Sequence, residues 1–476
     1  MLFSRHSPRG TLAASALGFA VVLLDVSVVN VALEALRLEF ATDIAGLQWV
    51  VNAYTLAFAA LLLTSGALGD RFGARRVFSW GFVLFTLASL ACGIANELAT
   101  LVVARLAQGV GAAMLVPNSL SMLQKAFQPG EERSRAVGWW GAVGGLSLAA
   151  GPVVGGLLVT HLGWRSIFLM NLPIGLMGLF LTLRFAAPDG EGHRRCLDWP
   201  GQVAAVIALA SLTASLIEAS SLGWSDIRVQ AGLLLFIVAL AGFIWMESRT
   251  KTPMLPLTLF RNPTFTISSV TGVVVNFAYY GLVFVLSLFF QIQQQLTPQQ
   301  TGLAFLPMTI VLVAANIVAG RLMTRLGARR ILVLGLGLAA CGYLLMLLAS
   351  IDGRYGMLII PMLMAGSGIA LTIPTMTNAT MSSVDASRAG IASGVLNSAR
   401  QIGGMLGVAV FGYLVRDTAA QAFRHGMYEA MVLSVALLFL GGLLCFVGMP
   451  KVIQEGIAAS EKKLRPATLR KHGHST

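Results

Sequence analysis

Long apolar runs separated by short polar segments recur along the whole chain. Most runs contain about 20 residues, the length that an α-helix needs to cross the hydrocarbon core of a bilayer. The pattern therefore predicts an all-α polytopic membrane protein with fourteen transmembrane helices. The predicted spans are residues 11–33, 47–68, 77–96, 99–123, 135–159, 166–185, 199–219, 229–246, 264–291, 301–322, 331–350, 355–380, 389–415 and 428–449.

The composition supports this membrane class. Hydrophobic residues make up 56% of the chain and charged residues 11%, whereas soluble domains carry roughly 25% charged residues. The formal net charge of +13 would also fit a nucleic-acid-binding protein. The basic residues, however, lie in short loops between the apolar runs, as the positive-inside rule expects. We therefore expect membrane lipids and no nucleic acid as partners, with a basic cytoplasmic tail at residues 451–476.

The distribution of Lys and Arg predicts the orientation of the chain. If both termini are cytoplasmic, the inner loops and tails hold 25 of the 33 Lys and Arg residues, and two, Arg105 and Arg400, lie inside spans. The outer loops hold the remaining six, Arg37, Arg165, Arg228, Arg354, Arg416 and Arg424. This bias indicates an even number of spans with both termini on the cytoplasmic side.

Asp25 stands out among the acidic residues because it is the one that lies well inside a predicted span. An aspartate near the centre of a membrane helix costs about 2.5–3.5 kcal/mol on insertion scales, so such a residue is a functional-site candidate. The helical rise places Asp25 and Arg105 at similar depths, roughly 9–12 Å below the outer surface. We expect the two side chains to pair or to compete through water. The alternatives are a permanently paired structural acid and an arginine that only bonds to carbonyl groups.

A short sequence repeat indicates two equivalent halves. Residues 66–76 read GALGDRFGARR and residues 320–330 read GRLMTRLGARR, with six identities at a separation of 254 residues. Both segments lie between two apolar runs, which implies two halves related as parallel repeats. The repeat divides the chain into an N-terminal six-helix bundle at 1–185, a linker with two extra transmembrane helices at 186–262 and a C-terminal six-helix bundle at 263–450.

The two segments differ where Asp70 faces Thr324. An acid in a basic loop can pair with arginines or stabilise a helix N-terminus. We hypothesise that Asp70 latches the cytoplasmic side of the protein in one conformation through Arg133 or Arg135.

Several motifs along the chain match one known family. The first helix contains LDVSVVNVAL at 24–33, although Glu34 stands where the family usually has proline. Arg105 is followed by Gln108, Gly109 and Gly111, which is similar to a fourth-helix motif. The other motifs are the loop at 66–76, Gly151-Pro152 with Gly155-Gly156, WRSIFLMNLPIG at 164–175 and SGVLNSARQIGGMLG at 393–407. Together they resemble the major facilitator superfamily and, within it, the fourteen-span drug–proton antiporter family.

This resemblance implies the major-facilitator fold, in which two six-helix bundles transport a substrate by alternating access. It implies a part for Arg105 in proton coupling and supports proton exchange at Asp25. It also implies gating by the loop motif and an outer seal formed by the small residues of the fifth helix, for which ordinary glycine packing is an equal alternative. The loop-motif residues are Asp70, Arg71, Gly73, Arg75 and Arg76, and those of the fifth helix are Gly151, Pro152, Gly155 and Gly156.

A substrate cavity should be apolar and aromatic with a few polar groups. Candidates come from the second, fourth, ninth and tenth predicted helices, and Asn276 and the Tyr279–Tyr280 pair are the best of them because they interrupt an apolar run. The full set is Asn52, Tyr54, Phe58, Met114, Asn118, Asn276, Tyr279, Tyr280, Phe284 and Phe305.

Arg400 is the second charged residue inside a span. Asn397 and Gln401 flank it, and Asn378 could reach it from a neighbouring helix. These amides could solvate the guanidinium in a structural role, which we favour. Alternatively, Arg400 and Asn397 face the cavity and contact an acidic or headgroup-like part of a ligand.

These features predict a proton-coupled antiporter that exports small lipophilic drugs, neutral or monocationic, across the bacterial inner membrane. A dedicated exporter of one metabolite or antibiotic is the first alternative. A membrane-embedded enzyme is a remote alternative, because the sequence places no polar catalytic cluster at membrane depth. No G-x-x-x-x-G-K-[ST] loop for ATP is present. We expect a monomer with no cofactor and no metal site, and with the proton as coupling ion.

Overall fold

The computed structural model describes residues 7–128, 130–189, 198–250, 253–352, 355–385 and 388–450, and the predicted basic tail at 451–476 lies outside these ranges. The described residues form α-helices and no strands. The helices are α1 Pro8–Val31, α2 Leu33–Glu39, α3 Ile44–Phe72, α4 Ala74–Gly93, α5 Leu98–Ala126, α6 Glu131–Leu162, α7 Ser166–Leu169, α8 Asn171–Phe185, α9 Trp199–Leu222, α10 Ile227–Arg249, α11 Pro263–Leu288, α12 Pro298–Ala304, α13 Leu306–Leu326, α14 Ala328–Asp352, α15 Tyr355–Ser382, α16 Ala389–Leu414 and α17 Ala420–Gly448. A 3₁₀ turn at Leu257–Arg261 precedes α11, and a π turn at Phe289–Gln293 follows it.

The protein is a multi-pass membrane protein. Within the described part of the chain, twelve helical segments are long and apolar enough to cross a bilayer. Two further helices, α13 with 21 residues and α16 with 26, are not among these twelve. The predicted tenth and thirteenth spans fall on these two helices, so the count of fourteen stays a prediction.

Two predicted spans are interrupted, which corrects their description as single helices. The span predicted at 166–185 is divided into α7 and α8 at Met170, and the span predicted at 301–322 is divided into α12 and α13 at Phe305. Both interruptions lie shortly before a proline, Pro173 or Pro307. Proline has no N–H to donate and its ring clashes with the carbonyl four residues earlier, so the helix breaks there. Hydropathy alone does not register this effect.

The ends of two other helices also differ from the prediction. The first helix ends at Val31 rather than at residue 33, and α2 follows it after Ala32. Arg424, predicted in an outer loop, lies inside α17 because that helix begins at Ala420. Polar residues in the first turns of α17 lowered the hydropathy there, although they are compatible with a helix.

The helices repeat along the chain at the separation seen in the sequence. A shift of 254 residues moves α3, Ile44–Phe72, onto 298–326, which is the extent of α12 and α13 together. Gly73 ends α3 with a φ of 98° and Gly327 ends α13 with a φ of 77°. This left-handed conformation favours glycine because it lacks a Cβ. The loop motif is therefore the same helix-ending device in both halves.

The packing repeats as well. Within the first half, α1 packs on α6 and α4 packs on α5; within the second, α11 packs on α16 and α14 packs on α15. The halves meet along two seams, α3 against α16 and α6 against α12 and α13. Exchanging each helix for its repeat converts one seam into the other, so the two seams are equivalent contacts between repeated helices.

The two ends of the bundle differ in how tightly the halves meet. We call the end with Gly163 and Thr297 the Gly163 end, and the opposite end, with Gly73 and Gly327, the Gly73 end. Near the Gly163 end, the Gln48 amide of α3 donates to the carbonyls of Val408 and Ala409 in α16 at 3.1 and 2.7 Å. Both seams are in contact there.

At the Gly73 end, the surface of α6 is open. Gly138 and Gly141 are exposed, and a Cβ at either position would meet no atom within 4 Å. Between α1 and α6 at this end lies a groove of about 430 Å³, lined mainly by apolar side chains with Arg9 at its edge and Trp139 exposed beside it. The first half therefore has an open surface groove at its Gly73 end.

The helices of the linker lie beside one seam only. α9 packs on both α3 and α16, whereas α10 packs mainly on α9. On the α3 side, Gln202 donates to the Ala60 carbonyl at 2.9 Å and Trp49 donates to Glu218 at 2.9 Å. On the α16 side, the Thr213 hydroxyl lies 2.8 Å from the Met405 sulfur. α9 thus connects the two halves along the α3–α16 seam.

Candidate functional site

Asp25 lies in the middle of α1 and is fully buried. Its Oδ2 accepts a hydrogen bond from Arg105 Nη1 at 2.5 Å. Its Oδ1 accepts from Gln108 Nε2 at 2.8 Å and from Asn171 Nδ2 at 2.9 Å. A buried carboxylate is stable only when it is paired and hydrogen-bonded. Three donors from two other helices meet that condition.

Arg105 projects from α5 and is 1% exposed. Besides Asp25, its guanidinium donates from Nε to the Val50 carbonyl at 3.1 Å and from Nη1 to Gln108 Oε1 at 2.7 Å. The face of Tyr54 lies 4.3 Å from the guanidinium carbon, within the range of a cation–π contact. The buried positive charge is therefore matched by a carboxylate, two oxygen acceptors and an aromatic face.

Gln108 and Ser89 extend this group into a hydrogen-bonded network. Gln108 lies one helical turn after Arg105, so both point to the same side of α5. Gln108 also donates to Ser89 Oγ on α4 at 2.8 Å, and the Asn171 amide lies 3.4 Å from the same oxygen. The network therefore joins α1, α4, α5 and α8, with Asp25 at its centre.

Sequence reasoning missed Asn171 and Ser89 as parts of the site. Asn171 is fully buried and begins α8 directly after the break at Met170, within the WRSIFLMNLPIG motif. The sequence feature that could have indicated Asn171 is the position of its amide inside an otherwise apolar run, just before the proline that breaks the helix. Ser89 gave no such signal, because small hydroxyl residues are common in membrane helices.

The loop motif is anchored by Asp189, a third residue that sequence reasoning missed. Asp189, which follows α8, accepts hydrogen bonds from the backbone N–H groups of Arg75 and Arg76 at 3.1 and 3.0 Å. It therefore caps the N-terminus of α4, where a negative charge is favoured. A Cβ on Gly73 would lie 2.1 Å from the Asp189 carboxyl carbon, so glycine is required there for space as well as for its φ.

The structure gives other partners to the two arginines proposed to latch Asp70. Arg133 donates to the carbonyls of Gln124 and Phe127, and Arg135 pairs with Glu131 at 2.6 Å. Arg75 donates to the Leu183 carbonyl at 2.7 Å. The latch through Asp70 stays a hypothesis about another conformation. The other two basic residues of the motif, Arg71 and Arg76, are exposed, and the Arg71 guanidinium carbon lies 5.3 Å from the centre of the Phe72 ring.

The small residues of α6 allow two close approaches. A Cβ on Gly151 or Gly155 would collide with α1, at Ser27 and Val31 respectively. A Cβ on Gly156 would lie 2.5 Å from the Pro298 carbonyl oxygen of α12, in the other half of the molecule. Pro152 lies within α6, which continues through it to Leu162. Glycine packing and contact between the halves therefore occur on the same helix.

A small cavity lies between the halves, close to Asp25. It is lined by Val26, Asn30, Val51 and Thr55 from the first half and by Tyr280, Gln401, Gly404 and Val408 from the second. Tyr280 is the predicted cavity residue found among them. It packs against the cluster that contains Tyr54 and Phe58.

The other predicted cavity residues are engaged in helix packing. Tyr279, Phe284 and Phe305 are buried in the large apolar core. The Asn118 amide donates to Ser65 and to the Met114 carbonyl, and the Asn276 amide donates to the Gly272 carbonyl of its own helix. The Asn52 amide is fully buried without a hydrogen-bond partner among the described residues.

Asp25 and its neighbours can hold one negative charge away from water, because three donors stabilise the carboxylate. Protonation would remove the charge that Arg105, Gln108 and Asn171 stabilise, so their hydrogen bonds would weaken together. Asp25 lies two residues before Ser27, which contacts α6 at Gly151. A change at the carboxylate can therefore reach the helix that forms the seam with α12.

Comparisons with known proteins agree with this architecture. A sequence profile of the Major Facilitator Superfamily matches residues 15–408. The chain is similar to the methylenomycin A resistance protein of Streptomyces coelicolor, with 38% identity over 440 residues and 92% of each chain covered. It is 39% identical over 402 residues to the multidrug resistance protein Stp of Mycobacterium tuberculosis, covering 84% of this chain and 75% of that protein.

A solved structure shares the fold. The D-xylose–proton symporter superposes with a TM-score of 0.68 at 14% identity, covering 93% of this chain and 98% of that one. Such low identity bears on the fold alone. The profile match and the relatives exclude the alternative of a membrane-embedded enzyme, so the protein is a transporter. The chain belongs to the Major Facilitator Superfamily.

Proposed function

We propose that the protein is a proton-coupled antiporter that exports small lipophilic compounds across the bacterial inner membrane by alternating access. The observation that carries this proposal is the fully buried Asp25 carboxylate, held by Arg105, Gln108 and Asn171. A charge buried in a membrane protein is costly, so an ionisable residue at this depth is a candidate for a proton or substrate pathway. The names of the relatives, which are resistance proteins, support export as the direction of transport.

The proposal includes a topology of fourteen spans with both termini in the cytoplasm, which adds α13 and α16 to the twelve segments above. The Gly73 end then faces the cytoplasm and the Gly163 end faces outward. In this orientation the contacts between the halves near the Gly163 end lie on the outer side, and the groove between α1 and α6 lies on the cytoplasmic side. A substrate would enter between the halves from the cytoplasm or the inner leaflet.

Asp25 couples the two fluxes in this scheme. With the site open outward, Asp25 takes up a proton and its hydrogen bonds to Arg105 and Asn171 weaken. The helices then move so that the site opens inward, where Asp25 releases the proton and substrate binds. One usable acid supports one proton per cycle as the simplest stoichiometry.

Replacement of Asp25 by asparagine tests the coupling. The purified protein is reconstituted in proteoliposomes, and transport of a compound that the wild type moves is measured with and without an imposed pH gradient. We expect Asp25→Asn to lose acceleration by the gradient and to keep exchange of substrate without a gradient, because asparagine fills the same space but carries no exchangeable proton.

The matched control is Glu218→Gln on α9, which neutralises a carboxylate bonded to Trp49 at the edge of the bundle. This variant should respond to the gradient as the wild type does. Full gradient-driven transport by Asp25→Asn would contradict proton coupling through this residue.

A dedicated exporter of one metabolite or antibiotic is the second candidate. The observation that favours it is the relative with 92% coverage, which is named for resistance to a single antibiotic, methylenomycin A. A panel of unrelated dyes and antibiotics in the same vesicles separates the two functions. Movement of one compound indicates a dedicated exporter, and movement of many indicates multidrug export.

A further inference from the structure

The two arginines within predicted spans differ sharply in their surroundings. Arg105 has a carboxylate, two oxygen acceptors and an aromatic face around it. Arg400, in α16, has one weak contact to its neighbour Asn397, at 3.4 Å from Nη1 to Oδ1. Its Nε is buried without a hydrogen-bond partner among the described residues.

Arg400 also lacks a counterion in the described part of the chain. None of the ion pairs formed between described residues includes it. An arginine within a membrane span is normally paired with an acid or with carbonyl groups. The weak contact with Asn397 does not replace such a partner. Solvation by amides, the structural role that the sequence favoured, therefore leaves the Nε donor of Arg400 without an acceptor among the described residues.

The surroundings of Arg400 lead to the cavity between the halves. Its side chain crosses α11 at Gly272, where a Cβ would lie 3.3 Å from the Arg400 Cγ. Two turns further along α11, Tyr280 lines the cavity and packs against Gly404, which lies one turn after Arg400 in α16. Gln401, the next residue of α16, lines the same cavity. Arg400 therefore lies beside the place where the halves separate during transport.

We propose that Arg400 is the anion-binding residue of the substrate site and that the transported compounds include lipophilic molecules with one carboxylate or a similar oxyanion. This inference rests on the proposed export function and assigns its substrate class. The planar guanidinium presents two parallel N–H donors, which fit a carboxylate or a phosphate. A monocation would be repelled at this position, so Arg400 changes the expected charge of the substrate from cationic to anionic.

A matched pair of probes tests the anion preference. Pyrenebutyrate carries a carboxylate, and pyrenebutyramide has the same aromatic body without the charge. Binding of each to the full-length protein is measured by fluorescence titration in nanodiscs of phosphatidylcholine. We expect wild type to bind the carboxylate at least about tenfold more tightly than the amide, and Arg400→Gln to lose about 10- to 100-fold of carboxylate affinity while keeping that for the amide.

Two further variants serve as controls for this result. Arg400→Lys keeps the charge but not the planar pair of donors, and we expect it to retain part of the preference. Arg416→Gln changes an exposed arginine just after α16 and should bind both probes as wild type does. Unchanged amide affinity in each variant establishes that the protein is folded.

A lipid phosphate shares this chemistry, and a second measurement separates the two sources. Nanodiscs containing phosphatidylglycerol are compared with those of phosphatidylcholine. Competition by phosphatidylglycerol that is present in wild type and absent in Arg400→Gln would support the same anion site with a lipid as its ligand. Absence of such competition, together with carboxylate preference, would support a substrate anion.

Equal affinity of wild type for the two probes would overturn the proposal, as would a carboxylate preference that survives Arg400→Gln. Neither result bears on the coupling role of Asp25, because binding is measured without a gradient. Conversely, failure of the Asp25→Asn test would leave the anion site intact.

Discussion

At the scale of the residue, the most consequential group is the carboxylate of Asp25 and its three donors. Removing one partner of a buried ion pair destabilises a protein by about 3–5 kcal/mol, because the other charge is left buried and unpaired. Arg105 therefore has a structural function as well as a proposed part in coupling. Asn171 is different, because its loss leaves the ion pair in place and removes one neutral donor.

We expect Asn171→Leu to lower the rate of gradient-driven transport, because the Asp25 carboxylate loses one of the three donors that hold it in place. A hydrogen bond to a charged group contributes about 1.5–3 kcal/mol, so the rate should fall by at most about 100-fold. The measurement is the initial transport rate in proteoliposomes with and without an imposed pH gradient.

The matched control is Asn118→Leu, which removes another buried amide from the same half without touching Asp25. Its response to the gradient should equal that of wild type. If both variants lowered the rate equally with and without the gradient, Asn171 would be a packing residue rather than a positioning residue for Asp25.

The residues that sequence reasoning brought together are those whose depth could be calculated. Asp25 and Arg105 lie on separate helices of known direction, and the constant rise of an α-helix gave both the same level in the membrane. Asn171 and Asp189 were missed because their roles depend on which way a helix faces and where a linker returns. Neither property leaves a regular pattern in one sequence.

At the scale of the element, the contact between α6 and α12 closes the Gly163 end. The Cβ position of Gly156 lies 2.5 Å from a backbone oxygen, and that of Gly302 in α12 lies 2.2 Å from the Pro152 carbonyl oxygen. Backbone atoms cannot rotate away as a flexible side chain can. Closure of this seam therefore depends on having glycine, which has no side chain, at Gly156 of α6 and at Gly302 of α12.

We expect Gly156→Val to hold the Gly163 end apart and to lower the transport rate by at least tenfold, with the protein trapped in the conformation open at that end. Gly141→Val is the matched control, because it makes the same change in the same helix where a Cβ meets no atom within 4 Å. The four native cysteines are replaced by serine in both variants, and the accessibility of a cysteine introduced at Gln299 to a membrane-impermeant thiol reagent then reports the opening.

Higher reactivity of that cysteine in Gly156→Val than in Gly141→Val would support this account. Equal reactivity in the two variants would mean that the two halves separate elsewhere.

The extent of the helices was largely predictable, because long apolar runs correspond to long helices. The two interruptions were not, since Met170 and Phe305 are themselves apolar and the prolines act one turn away. The path of α9 was also unpredictable. Hydropathy placed α9 in the membrane but gave no sign that Thr213 would contact Met405 of the second half.

At the scale of the whole molecule, the charge moved in each cycle depends on the substrate. Exchange of one proton for a monocation moves no net charge, exchange for a neutral compound moves one charge, and exchange for a monoanion moves two. Each charge draws about 2.3 kcal/mol from a potential of 100 mV. The membrane potential can therefore distinguish substrates of different charge.

We expect transport of a monoanion such as pyrenebutyrate to respond more steeply to an imposed potassium diffusion potential than transport of pyrenebutyramide. Both are measured in the same proteoliposomes at equal pH on the two sides, with Asp25→Asn as the uncoupled control. A response of the carboxylate no larger than that of the amide would contradict export of the anion in exchange for a proton.

The position of α9 makes the two seams unequal toward the lipid. α9 packs along the α3–α16 seam, whereas in α6, the helix that forms the other seam, Gly138 and Gly141 are exposed at the Gly73 end with space around them. A compound dissolved in the inner leaflet would therefore have one lateral route into the bundle rather than two. The bilayer would then act as a reservoir, so that the aqueous concentration needed for half-maximal export falls as the partition coefficient of the compound rises.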